Sequence, residues 1–588
     1  MCGIVGYLGV SDSKKPLIEG LKRLEYRGYD SSGLTFLDQS QFIIKKSLGR
    51  VSQLEQLVQH LAPSTCGIAH TRWATHGKVS IGNAHPHQSY DGRFAVVHNG
   101  VIDNYKNLES DYLAGVIKTS ETDTETLINL LSLNMGKLDY LNAIAETLKS
   151  LDGSYALVIL DRENPNQLIV AKNKSPLIIG QAIDETMIAS DVLALAGYVN
   201  QIHVMDDETF GIINKSSLKL LDYELNTVKN SFETFDIDPV LSTRGDYPHY
   251  MLKEIFEQPD VIQRLITHAE HSGFDKKLLT TLERAGTIEI IAAGTSYHAG
   301  LFGKALIEKS LGIRSHVHVA SEFAYYPPEI DDDAVFIIIS QSGETADLIA
   351  CLPHIRNHQW PLITLTNVNT SRLAKEADFF LDLLAGPEIA VASTKAFTAQ
   401  VTLIALLVDK IKRQNEFASA LEKVIQESHK LLKDHDKIKT YIEHFLTKHN
   451  AFFIGRGVDF TLALEASLKL KEISYIQSEA FPAGELKHGT IALIENDTPV
   501  ISLLTEKKTA SLTRANIEEL KARGASSFVI STEELSENDD QITLSSTGSI
   551  LDALMLTIPT QLIAYYAALH RGHDIDKPRN LAKSVTVE

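Results

Sequence analysis

Cysteine, tryptophan and blocks of basic residues are scarce in this chain of 588 residues. The cysteines are Cys2, Cys66 and Cys351, and their wide spacing without a CxxC pair argues against a disulfide framework or a cysteine-ligated zinc site and favours a reducing compartment. The formal net charge is −19, and no run of lysine or arginine forms a basic patch. Because such a chain repels phosphate backbones and anionic lipids, we expect neither nucleic acid nor a membrane surface as a partner.

Long apolar runs are also missing. The longest, residues 554–569, is interrupted by polar residues and a proline. It falls short of the ~20 apolar residues that cross a bilayer, and it predicts a buried helix. The amino-terminal residues MCGIVGYLG lack the basic segment of a secretory signal. We therefore expect a cytoplasmic protein.

The first 231 residues are rich in short apolar runs typical of strands, such as IVGYL, FAVVHNG and SYALVIL. Helical patterns interrupt these runs near residues 16–24 and 124–131. Many strands with few helices predict an α+β domain built on antiparallel sheets. We place the first domain at residues 1–231.

Residues 232–245 lose all periodicity and are predicted to form a linker. Beyond them, continuous apolar strands such as TIEIIAAG and AVFIIIS alternate with helical segments, including a long helical region at 396–449. This alternation is typical of α/β domains with parallel sheets. The pattern recurs, because Gly294 and Gly455 end equivalent strands. We predict two tandem α/β subdomains at 246–435 and 436–579, followed by a tail at 580–588.

Cys2 becomes the amino-terminal residue if Met1 is removed, and a small second side chain permits that removal. An α-amine has a pKa near ~7.7–8.0, so part of it is free base at neutral pH and can take the thiol proton. One residue then supplies both nucleophile and base. The alternative is an inert, buried cysteine.

Four motifs follow Cys2 along the first domain. They are AHTRWATHG at 69–77, NAHPH at 83–87, VHNGVI at 97–102 and SETDTE at 120–125. Together they closely resemble the glutaminase domain of the N-terminal-nucleophile (class II) glutamine amidotransferases. The resemblance implies a four-layer α+β fold and hydrolysis of glutamine at Cys2.

The resemblance also implies roles for individual residues. Arg72 would bind the α-carboxylate of glutamine, and Asp123 its α-ammonium. The Asn99 side chain and the Gly100 backbone N–H would form the oxyanion hole. The loop that covers the substrate would contain Trp73, Thr75 and His76.

Each of these residues has a plainer alternative. Arg72 could form a surface ion pair, and Asp123 could cap a helix that starts at Thr124. Asn99 and Gly100 could form a type I′ hairpin turn.

A hydroxyl-rich segment, SQSGET at 340–345, joins a predicted strand to a predicted helix. Neutral donors at a helix amino terminus favour an anion, and this set suits a phosphate monoester. The sequence contains no GxxxxGK[ST] motif, so a nucleoside triphosphate is not expected. A capping box begun by Ser342 is the alternative.

A predicted helix at 462–475 carries Glu465, Lys469 and Glu472 on one narrow stripe between apolar flanks. An exposed salt bridge would sit on a wider polar face, so we predict that this stripe lines a cleft. Nearby, the glycine-bracketed loop AGELKHG at 483–489 presents His488.

These carboxyl-terminal motifs, with the chain end DKPRNLAKSVTVE, closely resemble the sugar-isomerase (SIS) domains of the isomerising glutamine–fructose-6-phosphate aminotransferases. By that resemblance Lys583 forms a Schiff base with the ketose C2, and Glu472 moves a proton between C1 and C2 beside Lys469. His488 of the partner subunit assists ring opening. The sugar phosphate would be bound by Thr295, Ser296, Ser340, Gln341, Ser342, Thr345, Val391 and Ser393.

The implied reaction converts glutamine and fructose 6-phosphate to glutamate and glucosamine 6-phosphate, a hexosamine precursor, without metal or other cofactor. Ammonia would cross between domains in a closed channel, with Trp73 as a candidate gate. A His488 acting in trans implies a homodimer. The alternatives are another class II amidotransferase that acts on a related phosphosugar and a non-catalytic phosphosugar-sensing SIS protein.

Overall fold

The computed structural model describes residues 2–74, 77–215, 217–235, 243–446 and 448–585. The chain divides into two compact units. The first comprises Met1–Thr243 together with Ala582–Glu588, and the second comprises Arg244–Leu581. Half of the predicted linker, residues 236–242, lies outside the described residues.

The first unit is built on two antiparallel sheets. Its strands are β1 (Gly3–Leu8), β2 (Ser31–Asp38), β3 (Gln41–Leu48), β4 (Cys66–Arg72), β5 (His87–Gln88), β6 (Phe94–Ile102), β7 (Gly153–Asp161), β8 (Gln167–Asn173), β9 (Ile178–Ala182), β10 (Glu185–Ala189), β11 (Gln201–Val204), β12 (Thr209–Asn214), β13 (Ser217–Asp222) and β14 (Glu233–Thr234). The eight-stranded sheet has the order β14-β11-β9-β10-β1-β4-β2-β3, and the six-stranded sheet has the order β13-β12-β8-β7-β6-β5.

The two sheets face each other across a shared apolar core. Ile4 and Ile68 enter it from the eight-stranded sheet, and Val97 and Val158 from the six-stranded sheet. The helices of this unit are α1 (Lys14–Leu24), α2 (Val51–Val58), α3 (Tyr105–Tyr112), α4 (Asp123–Met135) and α5 (Tyr140–Lys149). Helices α1 and α2 pack on the eight-stranded sheet, and α4 packs on the six-stranded sheet with α5 beside it. The predicted four-layer α+β fold is confirmed.

The second unit contains two parallel five-stranded sheets. Their strands are β15 (Thr287–Ala292), β16 (Arg314–Val319), β17 (Ala334–Ser340), β18 (Leu362–Thr366), β19 (Phe379–Asp382), β20 (Asn450–Gly455), β21 (Gln477–Pro482), β22 (Pro499–Leu504), β23 (Ser526–Thr532) and β24 (Ile542–Leu544). The orders β16-β15-β17-β18-β19 and β21-β20-β22-β23-β24 are the same topology used twice. The predicted tandem α/β architecture is confirmed.

Helices surround these two sheets. They are α6 (Tyr250–Phe256), α7 (Gln258–His271), α8 (Lys276–Glu283), α9 (Gly294–Leu311), α10 (Ala320–Phe323), α11 (Ala346–Asn357), α12 (Arg372–Glu376), α13 (Lys395–Lys412), α14 (Glu416–Lys433), α15 (Asp436–Phe445), α16 (Val458–Ser474), α17 (Ala510–Lys521) and α18 (Thr557–His570). The long helical region predicted at 396–449 is therefore three helices. The first ends where Arg413 adopts a left-handed conformation with φ 55°.

Within the described residues one helical segment, Ile550–His570, is long and apolar enough to cross a membrane, but 94% of its most apolar stretch is buried inside the protein. This segment matches the buried helix predicted at 554–569. It consists of a 3₁₀ helix, Ile550–Leu556, followed by α18.

Gly153 offers a test of the first unit's sheet register. Its φ is 122°, and a Cβ there would lie 2.2 Å from the Val101 carbonyl oxygen across the β6–β7 pair. Gly115 has φ 93° with open space around its Cβ position. We expect Gly115→Ala to cost about 1 kcal/mol from backbone strain alone and Gly153→Ala to cost about 3 kcal/mol or more.

Differential scanning calorimetry should then show a midpoint lower by about 2–4 °C for Gly115→Ala and by about 6–12 °C for Gly153→Ala. Equal shifts in the two variants would contradict the close β6–β7 approach.

Candidate active site

Cys2 immediately precedes β1, a central strand of the eight-stranded sheet. The neighbouring strand β4 pairs Thr71 with Gly3, so the chain that follows β4 passes beside Cys2. The Trp73 backbone N–H donates a hydrogen bond to Cys2 Sγ at 3.3 Å. Burial raises the pKa of the Cys2 thiol, while the Trp73 N–H and the charge of Arg72 act to lower it. The thiol therefore lies beside a backbone donor and a cation.

Asn99 and Gly100 lie inside strand β6, so the alternative of a hairpin turn is wrong. The Asn99 Nδ2 donates a hydrogen bond to the Cys2 carbonyl oxygen at 3.1 Å. Gly100 has φ 127°, and a Cβ there would lie 2.0 Å from the Ser154 carbonyl oxygen. Only glycine fits at position 100 of the strand. The same strand brings the Asn99 amide next to Cys2.

Arg72 ends β4 and is buried, so a surface ion pair is also wrong. Burial lowers the pKa of Arg72, and Cys2 and the carboxylates of Asp30 and Asp123 are close enough to oppose that shift. Arg72 is thus the common neighbour of the Cys2 thiol and of both carboxylates.

Asp123 is the first residue of α4, and Thr122 occupies the N-cap position that the alternative gave to Asp123. One Asp123 carboxylate oxygen accepts the Ile102 N–H at 2.8 Å, and the other accepts the Thr124 N–H at 2.9 Å. These backbone donors fix the orientation of the carboxylate, which keeps lone pairs for another donor.

The loop after β4 contains the remaining residues predicted to bind glutamine. Thr75 and His76 lie outside the described residues. Trp73 is half-buried and meets Tyr29 edge to face, with ring centroids 5.7 Å apart. The Ala74 N–H donates to Asp30 Oδ2 at 2.9 Å, which ties the start of this loop to the sheet.

The hydroxyl-rich segment at 340–345 joins β17 to α11. Ser340 ends the strand, and its Oγ accepts the Gly343 N–H at 3.0 Å. Thr345 is the N-cap of α11, so the alternative of a capping box begun by Ser342 is wrong. Gly343 has φ 69°, and a Cβ there would lie 2.0 Å from Ser371 Oγ. The turn is therefore tight. Within it, the Ser342 Oγ accepts the Glu344 N–H at 3.2 Å.

The other predicted sugar-phosphate residues lie in the same unit. Gln341 belongs to the turn just described, and its carbonyl oxygen accepts the Asn367 N–H at 3.1 Å. Ser296, near the start of α9, accepts a hydrogen bond from Gln400 Nε2 at 2.9 Å. The Val391 N–H donates to the Asp576 carbonyl oxygen at 2.9 Å.

Glu388 organises the segment before α13. Its side chain is buried and accepts hydrogen bonds from Ser393 Oγ at 2.8 Å, the Thr394 N–H at 2.9 Å and the Ala396 N–H at 3.0 Å. The carboxylate thereby satisfies donors at the amino terminus of α13 and fixes Ser393.

The stripe on α16 is buried rather than exposed. Lys469 Nζ lies 2.6 Å from Glu472 Oε2 and 3.6 Å from Glu465 Oε1. Burial on its own would lower the pKa of Lys469, but the two carboxylates raise it above its usual range. Lys469 is therefore held as a cation, and the alternative of a solvent-exposed salt bridge is wrong.

Glu465 links the two α/β halves of the second unit. Its carboxylate lies 2.7 Å from His298 Nδ1 and accepts a hydrogen bond from Thr295 Oγ1 at 3.1 Å. Both partners belong to α9, which follows the first strand of the first parallel sheet. The predicted sugar-site residue Thr295 is thus brought to the charged stripe of α16.

The two remaining predicted catalytic residues belong to segments other than α16. His488 is exposed and ends the 3₁₀ helix Glu485–His488. Lys583 is half-buried and belongs to the terminal segment grouped with the first unit.

Sequence reasoning missed Glu388, His298 and His70 as members of these sites. His70 is inside the motif at 69–77, but its contact with Asn99 joins strands from different sheets and has no local signal. Among the described residues, no group of three or more His, Cys, Asp and Glu side chains is arranged to hold a metal ion.

Comparison with known proteins agrees with this division of the chain. The sequence model of the SIS domain matches residues 281–410 and 444–571. The model of a glutamine amidotransferase domain matches residues 70–197. A solved structure, the C-terminal domain of glucosamine-fructose-6-phosphate aminotransferase from Francisella tularensis, is 35% identical and superposes with a TM-score of 0.54. It covers 57% of this chain and 99% of its own.

Two curated relatives align over their whole length. The isomerizing glutamine–fructose-6-phosphate aminotransferase of Bacillus licheniformis is 48% identical over 610 residues, with both chains fully covered. That of Oceanobacillus iheyensis is 45% identical over 600 residues, again with full coverage of both. The chain therefore belongs to the family of isomerizing glutamine–fructose-6-phosphate aminotransferases.

Proposed function

We propose that this chain carries out its family's reaction with a division of labour between its two units. The first releases ammonia from glutamine, and the second uses it to convert fructose 6-phosphate to glucosamine 6-phosphate, with glutamate as the other product. The observation that carries the proposal is the position of Cys2, whose thiol accepts the Trp73 N–H and whose carbonyl oxygen accepts the Asn99 amide.

In the glutaminase step, the free α-amine of processed Cys2 takes the thiol proton. The sulfur then bonds to the γ-carbon of glutamine, and the carbonyl electron pair moves to oxygen. Asn99 Nδ2 and the Gly100 N–H stabilise that oxyanion. When the intermediate collapses, the C–N bond breaks and ammonia leaves with a proton from the α-ammonium. Water then hydrolyses the thioester to glutamate and regenerates the thiol.

Substrate recognition uses the charges around the thiol. Arg72 binds the glutamine α-carboxylate with its planar guanidinium, and Asp123 accepts hydrogen bonds from the α-ammonium. The fixed carboxylate of Asp123 supports this role, because backbone N–H groups orient both of its oxygens. The loop containing Trp73, Thr75 and His76 covers the bound substrate.

The sugar phosphate binds at the turn between β17 and α11 and at neighbouring hydroxyls. Hydroxyls and backbone N–H groups at a helix amino terminus bind a dianion without a full positive charge. The binding set is Thr295, Ser296, Ser340, Gln341, Ser342, Thr345, Val391 and Ser393.

Isomerisation needs an activated C2 and two proton transfers. The Lys583 amine adds to the ketose carbonyl and expels water, and ammonia then displaces the lysine from the resulting imine. Glu472 takes a proton from C1 and returns it to C2, while the O1 hydroxyl proton passes to the imine nitrogen, which converts the ketose imine to the amino-aldose. The Lys469 ammonium lies 2.6 Å from this carboxylate and holds it in position.

His488 of the partner subunit assists ring opening, which makes the working enzyme a homodimer. Ammonia travels in a closed channel gated by Trp73, because water would protonate it and remove its lone pair. We assign the protein to the cytoplasm and to the synthesis of hexosamine precursors, and we assign it no metal or organic cofactor.

Cys2→Ala tests the division of labour. With glutamine and fructose 6-phosphate and no added cofactor, the wild-type chain should yield glutamate and glucosamine 6-phosphate by mass spectrometry. The variant should lose this synthesis by more than about 10³-fold, because no nucleophile remains, yet keep slow isomerisation of the hexose phosphate.

Cys66→Ala is the matched control, since Cys66 is a buried thiol in the adjacent strand β4 and should leave synthesis unchanged. A folded Cys2→Ala protein that still hydrolyses glutamine, or that has lost isomerisation as well, would contradict the proposal.

Borohydride trapping tests Lys583. Reduction in the presence of fructose 6-phosphate should attach the sugar to Lys583 and inactivate the enzyme, because the imine becomes a stable amine. Lys583→Arg should abolish both labelling and synthesis, since a guanidinium does not form the imine. Peptide mapping that located the sugar on another lysine would refute the assignment.

A further inference from the structure

We propose that His70 is a positioning residue for the oxyanion hole. Its Nε2–H holds the oxygen of the Asn99 amide, so that the amide nitrogen is directed toward Cys2. The inference rests on the role proposed above for Asn99, and it assigns His70 no contact with substrate.

The geometry forms a short chain of hydrogen bonds. His70 lies in β4 and is fully buried, and its Nε2 is 3.0 Å from Asn99 Oδ1. The same nitrogen is 2.9 Å from the His98 carbonyl oxygen. At the other end of the amide, Asn99 Nδ2 donates to the Cys2 carbonyl oxygen at 3.1 Å. His70 and Cys2 therefore hold opposite ends of one amide group.

The partners determine which ring nitrogen carries the proton. A carbonyl oxygen only accepts hydrogen bonds, and the Asn99 atom facing His70 is its oxygen because its nitrogen donates to Cys2. Nε2 must therefore be the protonated nitrogen. His70 Nδ1 is buried and has no hydrogen-bond partner among the described residues. The ring is thus a single neutral tautomer that donates only toward Asn99 and His98.

His70 does not act as a proton carrier. Burial lowers its pKa to about 3, although its hydrogen bonds to the His98 carbonyl and Asn99 oppose this shift. The imidazole therefore stays neutral throughout the physiological range. Its contribution is to direct a dipole rather than to exchange a proton with the substrate.

Neighbouring histidines hold the His70 ring in place. The rings of His70 and His85 stack with centroids 4.1 Å apart and planes 14° apart. His85 Nδ1 accepts the His98 N–H at 3.1 Å, and His98 Nδ1 lies 2.9 Å from Thr124 Oγ1. The ring that orients Asn99 is therefore anchored to both sheets and to the start of α4.

Packing alone does not account for a histidine at this position. An aliphatic side chain would fill the same space without burying a bare Nδ1. Without the donor, the Asn99 amide could turn over and present its oxygen to the developing oxyanion. A misoriented amide destabilises the oxyanion only when the negative charge forms. Removing the His70 donor should therefore lower kcat while KM for glutamine stays nearly constant.

Two amide substitutions test the inference with closely matched side chains. Gln places its amide nitrogen near the position of Nε2, whereas Asn ends near Nδ1 and does not reach Asn99. We expect glutamine hydrolysis by His70→Asn to show a kcat about 10–10²-fold lower, with KM within about twofold of wild type. His70→Gln should recover most of the loss.

An aldehyde analogue supplies a second readout. Glutamate γ-semialdehyde should add to the Cys2 thiol and form a tetrahedral oxyanion in the hole. Its affinity should fall in parallel with kcat in His70→Asn and recover in His70→Gln. His203→Gln, which alters a buried histidine of β11 whose Nδ1 lies 3.0 Å from the Ser231 carbonyl oxygen, should leave both quantities unchanged.

The Asn99→Ala variant distinguishes the positioning role of His70 from the oxyanion role of Asn99 on which it rests. His70→Asn should add little to the effect of Asn99→Ala, because both remove the same oriented donor. Equal kcat values for His70→Asn and His70→Gln in folded proteins, or fully additive losses, would overturn the inference. Full glutamine hydrolysis by Asn99→Ala would instead refute the proposed oxyanion role itself.

Discussion

The first unit depends on holding the amino terminus of the chain where two sheets meet. Strand β1 pairs with β4 on one side and with β10 on the other, and its pairing with β4 begins at Gly3, the residue after Cys2. The opposing sheet contributes Asn99 from β6, whose amide reaches the Cys2 carbonyl oxygen. Because strand register fixes both residues, the proposed nucleophile and its proposed oxyanion donor are preorganised by the fold itself.

In the proposed function, the second unit binds a dianionic sugar phosphate although the chain carries a net charge of −19. The turn between β17 and α11 offers hydroxyls and helix N–H groups, so binding does not require net positive charge. Buried charge is instead concentrated on α16, where Lys469 lies between Glu465 and Glu472. The two repeats are joined at this point, since Glu465 also bonds to α9. In the proposed mechanism, the repeated topology thereby supplies the phosphate site in one half and the proton-transfer group in the other.

The sequence predicted what local patterns encode. Apolar strands such as β15 and β17 are fully buried, and their continuous apolar runs predict them. The edge strands β16 and β21 were missed, because RSHVHV and QSEAFP are only partly buried and lack an apolar signature. Cys2, Arg72 and Asn99 stood in recognisable motifs. The contacts of His70 and of Glu465 depend on tertiary packing between separate strands and helices, which no local pattern records.

Intact-mass measurement of the fully active protein tests most directly whether nucleophile and base share one residue. The account predicts a chain that lacks Met1, in which Cys2 bears the free α-amine and is the only residue modified by an electrophilic glutamine analogue. Full glutamine hydrolysis by a homogeneous protein that retains Met1 would contradict it, because the amine would then belong to another residue.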